Sequence, residues 1–261
     1  MSIAYLKVFG WLLWRNLRII KNNFANNVID ALVVPAGFII IAGYILPFMG
    51  MPATYGSFML AGSLVLMCYS STSWRGATNL IVDLEGDRAV SYELTLPLPS
   101  WLVFFKYSCA YALDSICLNI LTVPMGKLLL WNQFSLEHFS LFKFIVVYLS
   151  LNLFFGCYSV WLASWVQGMQ GLSRFWLRYG AQILFFSGYQ FSWTVLNKAF
   201  PMFSYINLLN PFVYAFEGTR AALLGQGDSL NFWVCIAMLW FFTLFFVIRS
   251  TQLFKKKLDY V

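Results

Sequence analysis

Side chains that could perform catalysis are few in this 261-residue chain. The one histidine, His138, stands beside Glu137 in a short polar stretch, where we predict a solvated loop residue. The metalloprotease pattern HExxH and the hydrolase pattern GxSxG are both absent. The one Gly-Lys pair, Gly126-Lys127, lacks the first glycine and the Ser or Thr of a phosphate-binding loop. We therefore predict no catalytic, cofactor-binding or metal-binding residues, and no ATP hydrolysis by this chain itself.

The cysteines do not form a recognisable redox or metal motif. All of them lie within apolar stretches, with no CxxC pair and no cluster of cysteine and histidine. We expect small packing residues rather than disulfides or a zinc site. They are Cys68, Cys109, Cys117, Cys157 and Cys235.

Charged side chains that could bind a partner or a ligand form two groups. The first has five members within eleven residues: Asp83, Glu85, Asp87, Arg88 and Glu93. Ionised groups are costly in hydrocarbon, so we expect this segment to face the cytoplasm or a cytoplasmic protein. The second group is the pair Glu217 and Arg220, which lie three residues apart on one face of a short helical pattern at 212–224.

Asp114 is the one acidic residue well inside a long apolar stretch. An ionisable side chain within a membrane-spanning segment is a functional hypothesis by default. Asp114 could line a substrate path or a dimer interface. Equally, it could pack against or cap polar side chains of another helix, and the sequence leaves both roles open.

The composition places these residues in a membrane protein. Apolar residues make up 61% of the chain and charged residues 10%, with a mean hydropathy of +0.72. In a typical soluble domain, about 45–50% of the residues are apolar and about 25% are charged. Aromatic residues, at 20%, exclude a disordered chain. We predict an all-α polytopic fold that forms a single transmembrane domain over residues 1–261.

Apolar runs of sufficient length predict six transmembrane spans. They lie at about 31–51, 55–74, 101–130, 141–167, 177–198 and 230–249. Before them, residues 1–28 have their basic side chains on one arc, which favours an interfacial amphipathic helix over a frayed leader that only sets orientation. We predict that segment 75–100 is a cytoplasmic loop. Segment 199–229 predicts a re-entrant outer pair of short helices buried against protein, with an exposed loop as the alternative.

The distribution of Lys and Arg residues predicts the orientation. With the N-terminus inside, the outer side holds four of the 17 basic residues, Lys127, Lys143, Lys198 and Arg220, and the inner side holds the other thirteen. The positive-inside rule then places both termini in the cytoplasm. The net charge of +7 is explained by the basic residues of the predicted cytoplasmic segments. We therefore predict no nucleic-acid partner.

Three stretches, in this order, resemble the membrane subunit of ABC-2-type ATP-binding-cassette exporters. The first is WRNLR at 14–18, leading to Val34-Pro35, and the second is DLEGDRAVSYELTLPLP at 83–99. The third and most specific is NLLNPFVYAFEGTRAALLG at 207–225. The chain length, the N-terminal pattern and the stretch around Tyr55, Phe58 and Ala61-Gly62 look most like polysaccharide and nodulation-type export subunits.

The resemblance implies a homodimer or pseudo-dimer in the cell (inner) membrane, bound to two separate ATPase subunits that would hold ATP and magnesium. The charged segment would couple to the ATPase, and Asn210, Pro211, Glu217 and Arg220 would form an outer gate. The cargo would be a lipid-linked saccharide, a lipid or a hydrophobic drug-like molecule. The alternative is a stand-alone carrier or lipid-modifying enzyme with Asp114, Glu217 and Arg220 as its polar centre. That alternative leaves the acidic segment without a purpose.

Overall fold

The fold is a bundle of α-helices. A computed structural model describes residues 3–22, 24–86, 89–96, 98–227 and 229–258, and the regular structure in these ranges is entirely helical. The predicted all-α class is confirmed. The helices are α1 (Ile3–Asn22), α2 (Phe24–Phe48), α3 (55–85), α4 (Ala89–Leu94), α5 (Ser100–Leu130), α6 (Leu141–Trp165), α7 (168–186), α8 (Trp193–Ala199), α9 (Pro201–Asn207), α10 (Pro211–Leu223) and α11 (Phe232–Leu258).

Four helices in the described ranges are long and apolar enough to cross a membrane, namely α2, α5, α6 and α11. Helices α3 and α7 have sufficient length but a more polar composition. In α3 the polar residues include the run Ser70–Ser73, and in α7 they include Arg174 and Arg178. The chain is thus a candidate membrane protein with four apolar helices of spanning length.

Helix α6 forms the centre of the bundle. Within the most apolar part of α6, 72% of residues are buried, compared with 33% in α2 and α11. Phe154, Phe155 and Tyr158 of α6 surround Phe212 of α10, with ring centroids 5.2 to 5.9 Å apart and the rings edge to face. Edge-to-face aromatic pairs add to the stabilisation from burial. This cluster fixes α10 against the central helix.

Helices α5 and α6 pack closely at Gly156. A Cβ atom at this position would overlap the backbone oxygen of Ser108 on α5. Small residues let helix backbones approach each other where lipid provides no hydrophobic driving force. Gly156 is therefore required by the contact between the two helices.

One end of the bundle collects the predicted charged segment together with the ends of several helices. The Lys257 ammonium, near the end of α11, donates to the backbone oxygens of Ala163 (3.4 Å) and Val166 (3.3 Å). The Glu85 carboxylate at the end of α3 lies against the backbone of Gly168, where α7 begins. We call this the charged end of the bundle.

The opposite end of the bundle holds the other connections. Here the Tyr44 hydroxyl donates to the Leu129 carbonyl (2.6 Å), which joins the end of α2 to the end of α5. The Ser140 amide donates to the Ala222 carbonyl (3.1 Å), which joins the start of α6 to α10. Consecutive connections thus alternate between the two ends, as expected for helices that run up and down.

Several predicted boundaries shift in the structure. Helix α2 begins at Phe24, inside the segment 1–28 predicted as interfacial and before the predicted start at 31. Helix α3 continues to residue 85, well into the predicted loop 75–100, because Ala77, Leu80 and Ile81 repeat at helical spacing and are buried in the core. Helix α11 continues to Leu258 rather than ending at 249.

The predicted fifth span at 177–198 is wrong as a single helix. Helix α7 begins at 168 and ends at Phe186, and α8 starts at Trp193. Between them Gly188 has a φ of +92°, a conformation that favours glycine and ends the helix. The Ser192 hydroxyl then accepts from the Val195 amide (3.3 Å) and caps α8. Apolar length does not detect this interruption, since the residues on both sides of it are apolar.

Candidate functional site

At the charged end, Glu93 joins three helices. Its carboxylate, on α4, accepts from the Arg15 guanidinium of α1 (2.7 Å) and from the Lys106 ammonium of α5 (2.5 Å). Glu93 and Lys106 are buried, whereas the Arg15 side chain is 56% exposed. Lys106 also lies 3.5 Å from the centre of the Tyr107 ring. Glu93 is therefore an internal anchor of the predicted coupling segment and not part of its exposed surface.

The ionisation of Glu93 reflects this environment. Burial by itself raises the pKa of the carboxyl group, but hydrogen bonds and charge from Lys106, with a further hydrogen bond from Arg15, outweigh burial. The pKa of Glu93 consequently lies below its ordinary value of 4.5. The carboxylate is the stable form at neutral pH, which is the form that holds both basic side chains.

The other predicted coupling residues lie around this anchor. The Asp83 carboxylate accepts from the Val90 amide (2.9 Å) at the start of α4 and so ties α4 to the end of α3. Glu85 is exposed at the end of α3. Asp87 and Arg88 lie outside the described residues. Of the described members of the predicted segment, Glu85 is the one that presents its charge at the surface.

At the opposite end, Glu217 and Arg220 form the ion pair that their spacing predicts, with 3.2 Å between charged atoms. Both are buried in α10, whose predicted extent of 212–224 is confirmed within one residue. The Glu217 carboxylate also accepts from the amides of Trp193 (2.9 Å) and Leu230 (3.1 Å). The acid therefore fastens α10 to the start of α8 and to the segment before α11.

Arg220 holds the interruption between α7 and α8. Its guanidinium donates to the carbonyls of Gly188 (2.5 Å), Tyr189 (3.0 Å) and Phe191 (3.3 Å). The centre of the Phe58 ring, on α3, lies 3.7 Å from its central carbon. These carbonyls have no helical partner, and a guanidinium is suited to satisfy several at once because its donors form a planar fork.

The remaining predicted gate residues, Asn210 and Pro211, lie at the N-terminal end of α10. The Asn210 side chain accepts from the Phe212 amide (3.1 Å) and donates to the Ile183 carbonyl of α7 (2.7 Å). Pro211 follows at the first helical position, where its missing N–H group costs nothing. Asn210, Pro211, Glu217 and Arg220 thus fix a compact group of helices, in which α10 is buried.

Helices α8 and α9 present a different surface. In and beside these two helices, six large apolar side chains are more than half exposed: Val195, Phe200, Met202, Tyr205, Ile206 and Leu209. A soluble surface rarely carries so dense an apolar patch. This short helical hairpin therefore needs lipid or another protein to cover it.

Asp114 lies in a polar cleft between α2, α3 and α5. The cleft has a volume of about 140 Å³ and is lined by Asn27, Ser71, Arg75, Gly76, Asn79, Tyr111, Asp114 and Leu118. One oxygen of the Asp114 carboxylate is buried without a hydrogen-bond partner. Deeper in the bundle, Ser71 donates to Ser115 (2.9 Å) and accepts from Asn119 (2.8 Å). The cleft thus continues a band of polar side chains between α3 and α5.

The cleft and the Glu217–Arg220 pair are separate. Arg220 lies over Phe58, while the cleft begins at Ser71 on the same helix. These thirteen residues of helix correspond to about 20 Å. The single polar centre of Asp114, Glu217 and Arg220, which the stand-alone carrier or enzyme requires, is not assembled.

The described residues include no group of three or more His, Cys, Asp or Glu side chains that could hold a metal ion. His138 is exposed and lies beside Gly225. All five cysteines are free, with Cys68, Cys157 and Cys235 buried.

In comparisons with known proteins, no family model, curated protein or solved structure matches this chain.

Sequence reasoning missed three of the residues that organise these sites. From the sequence, Lys106 serves only to predict the orientation and Arg15 belongs to the basic arc of the interfacial helix, yet both hold Glu93. A lone lysine within an apolar run is a signal for a buried acidic partner, since it cannot stay charged there unpaired. Arg75 likewise enters the sequence-based prediction only through the orientation. Its spacing from Ser71 and Asn79, four residues each way, is the signal for a polar stripe on one helix face.

Proposed function

We propose that this chain is the transmembrane subunit of an ATP-driven exporter of the ABC-2 type, with ATP hydrolysed by a separate ATPase subunit. The observation that carries the proposal is the anchoring of the charged segment. Glu93 binds both Arg15 and Lys106, so α1, α4 and α5 meet at one carboxylate. A membrane bundle with no coupling role has no evident need to fix α4, the helix of the charged segment, to two other helices by a buried carboxylate.

The proposed coupling follows from this anchoring. An ATPase subunit that docks at the charged end would contact exposed groups such as Glu85. Motion of the partner would then move α4, and through Glu93 it would move α1 and α5 as one unit. Packed helices of this kind change between discrete arrangements rather than deforming continuously.

In the proposed topology α2, α3, α5, α6, α7 and α11 are six spans and both termini are cytoplasmic. Helices α8 to α10 form the re-entrant outer segment. The burial of α10 and the exposed apolar surface of α8 and α9 support this arrangement. Helices α3 and α7 are more polar than the other proposed spans. If they cross the membrane, protein must cover their polar faces.

The cargo in this proposal is a lipid-linked saccharide, a lipid or a hydrophobic drug-like molecule, and two copies of the chain enclose its path. Residues on the outer side, among them Asn210, Pro211, Glu217 and Arg220, set the shape of the outer mouth. Because Glu217 and Arg220 are buried and paired, they would act by holding the loop 187–192 rather than by touching cargo.

The proposal is tested by purifying the tagged full-length chain from its own cells in a mild detergent. We expect an ATPase subunit to remain bound and the complex to hydrolyse ATP in a vanadate-sensitive manner. Glu85→Lys should reduce both the amount of bound ATPase and the hydrolysis rate, because it reverses an exposed charge at the charged end.

Glu137→Lys is the matched control, since Glu137 is an exposed acid at the opposite end. It should leave ATPase binding unchanged. If no ATPase is retained even after cross-linking in intact cells, or if both variants behave like the unmodified chain, the coupling proposal fails.

A further inference from the structure

The cleft at Asp114 is lined by one acidic and one basic side chain that are not paired with each other. Asp114 on α5 and Arg75 on α3 both line it. Among the residues that the structure describes, no ion pair involves either side chain. One Asp114 oxygen is buried without a hydrogen-bond donor, an arrangement that is costly for a carboxylate. The cleft therefore offers an acceptor and a donor group to a ligand.

The remaining lining is suited to a small polar molecule. Asn27, Asn79 and Ser71 supply amide and hydroxyl groups around the two charges. The volume of about 140 Å³ has room for a small headgroup or several water molecules, but not for a whole lipid. A π-helical turn of α3 at Ser70–Trp74 ends beside the cleft. Such turns often occur at functional sites, because they rotate the side chains that follow.

The cleft lies close to the level of the amphipathic helix. Asn27, one of its lining residues, stands in the first turn of α2, directly after α1. Helix α1 packs on α5 through Val8, Phe9 and Leu12, while Trp11 and Trp14 are exposed. Exposed tryptophan beside basic residues is typical of the lipid headgroup region. We therefore expect the Asn27 side of the cleft to lie near the lipid headgroups.

We propose that this cleft binds a small zwitterionic group of the phosphoethanolamine type. Its ammonium would donate to Asp114, and its phosphate would be held by the Arg75 guanidinium, whose fork matches phosphate oxygens. A ligand with a single charge would meet one like charge in the cleft. The proposal concerns binding and does not depend on the proposed export function.

The first test compares three probes on the unmodified full-length chain in a maltoside detergent by microscale thermophoresis. The probes are dihexanoyl phosphatidylethanolamine, free phosphoethanolamine and dihexanoyl phosphatidylglycerol. We expect at least one ammonium-bearing probe to bind about tenfold more tightly than phosphatidylglycerol, because only it supplies a charged donor to Asp114. Binding of the lipid alone identifies a lipid as the source, whereas binding of both shows that the headgroup suffices.

The second test uses variants. Asp114→Asn and Arg75→Gln should each weaken binding of the ammonium-bearing probe by about tenfold, since each removes one charge-assisted contact. Glu137→Gln and Arg178→Gln change exposed charges of the same sign away from the cleft and should have no effect. Arg75 is itself exposed, so its variant is informative even if Asp114→Asn does not fold.

Three results would overturn the proposal. One is equal binding of phosphatidylglycerol and phosphatidylethanolamine, which indicates recognition of phosphate alone. Another is binding that is unchanged in Arg75→Gln. The third is no binding of any probe, which would mean that the cleft holds water.

Discussion

The Glu93 carboxylate lies 2.5 Å from the Lys106 ammonium, and both side chains are almost completely buried. Lys106 follows Glu93 by thirteen residues in the sequence, and the chain reverses between them. The ion pair therefore holds α4 against α5. A buried ion pair does little for stability compared with apolar residues of the same shape, yet removal of one partner leaves an uncompensated charge. The pair therefore makes a strong prediction about single substitutions.

Glu93→Gln should lower the free energy of unfolding by about 3 kcal/mol, because it leaves the Lys106 charge buried without a counter-ion. Chemical denaturation of the chain in detergent micelles, followed by tryptophan fluorescence, measures this change. Arg15→Gln is the control, since its side chain is 56% exposed, and its effect should stay below about 1 kcal/mol. Equal effects of the two substitutions would contradict the assignment of Glu93 and Lys106 as the essential pair.

Acid should weaken the same contact. The pKa of Glu93 lies below 4.5 in the folded chain, so the unfolded chain binds the proton more tightly. The stabilisation is complete above about pH 4.5 and is lost as the pH falls through the folded-state pKa. Melting temperatures between pH 6 and pH 3 should fall more steeply for the unmodified chain than for Glu93→Gln. Parallel curves would rule out a contribution from this carboxyl group.

Arg220→Lys should loosen the loop between α7 and α8 although it keeps the charge. A lysine cannot reproduce the planar fork that reaches the carbonyls of Gly188, Tyr189 and Phe191. We expect amide hydrogen exchange in residues 187–193 to accelerate by about tenfold, with α6 unchanged. Arg178→Lys, an exposed change on α7, serves as the control. Unaltered exchange in the loop would show that its conformation does not depend on Arg220.

Gly156→Ala should destabilise the bundle by about 1–3 kcal/mol, since the added methyl group would overlap the Ser108 backbone oxygen and push α5 from α6. Gly37→Ala, on α2, meets no atom within 4 Å. Alanine is the better helix former there, so this control should be neutral or stabilising by up to about 1 kcal/mol. The comparison uses thermal unfolding in the same detergent. A loss of the same size at both positions would indicate a general effect of glycine replacement.

The sequence predicts the helices that follow from apolar length and misses those that depend on tertiary contacts. The third and fourth predicted spans, at 101–130 and 141–167, agree with α5 and α6 within two residues. The fifth does not, because the interruption at Gly188 is stabilised by Arg220, which is more than 30 residues away. Such a contact has no signature in local hydropathy.

The candidate sites show the same division. The pairing of Glu217 with Arg220 is readable from their spacing on one helix. The partners of Glu93 lie 78 and 13 residues away, and nothing in the sequence around Arg15 indicates that it turns towards an acid. Likewise, the sequence predicts that Asp114 lies within a membrane span, but Arg75, which lines the same cleft, comes from another helix and is placed only by the packing of α3 against α5.

Helix α3 continues from Tyr55 through its π-helical turn to Glu85, which at the usual rise is about 46 Å, or about 16 Å more than the hydrocarbon core of a bilayer. Moved as a rigid body, it would act as a lever with Glu85 at one end and Phe58, which contacts Arg220, near the other. A tilt of about 5° would displace one end by about 4 Å relative to the other. The pivot of such a stroke would fall near the π-helical turn at Ser70–Trp74, so the cleft beside it would change width whenever either end moves.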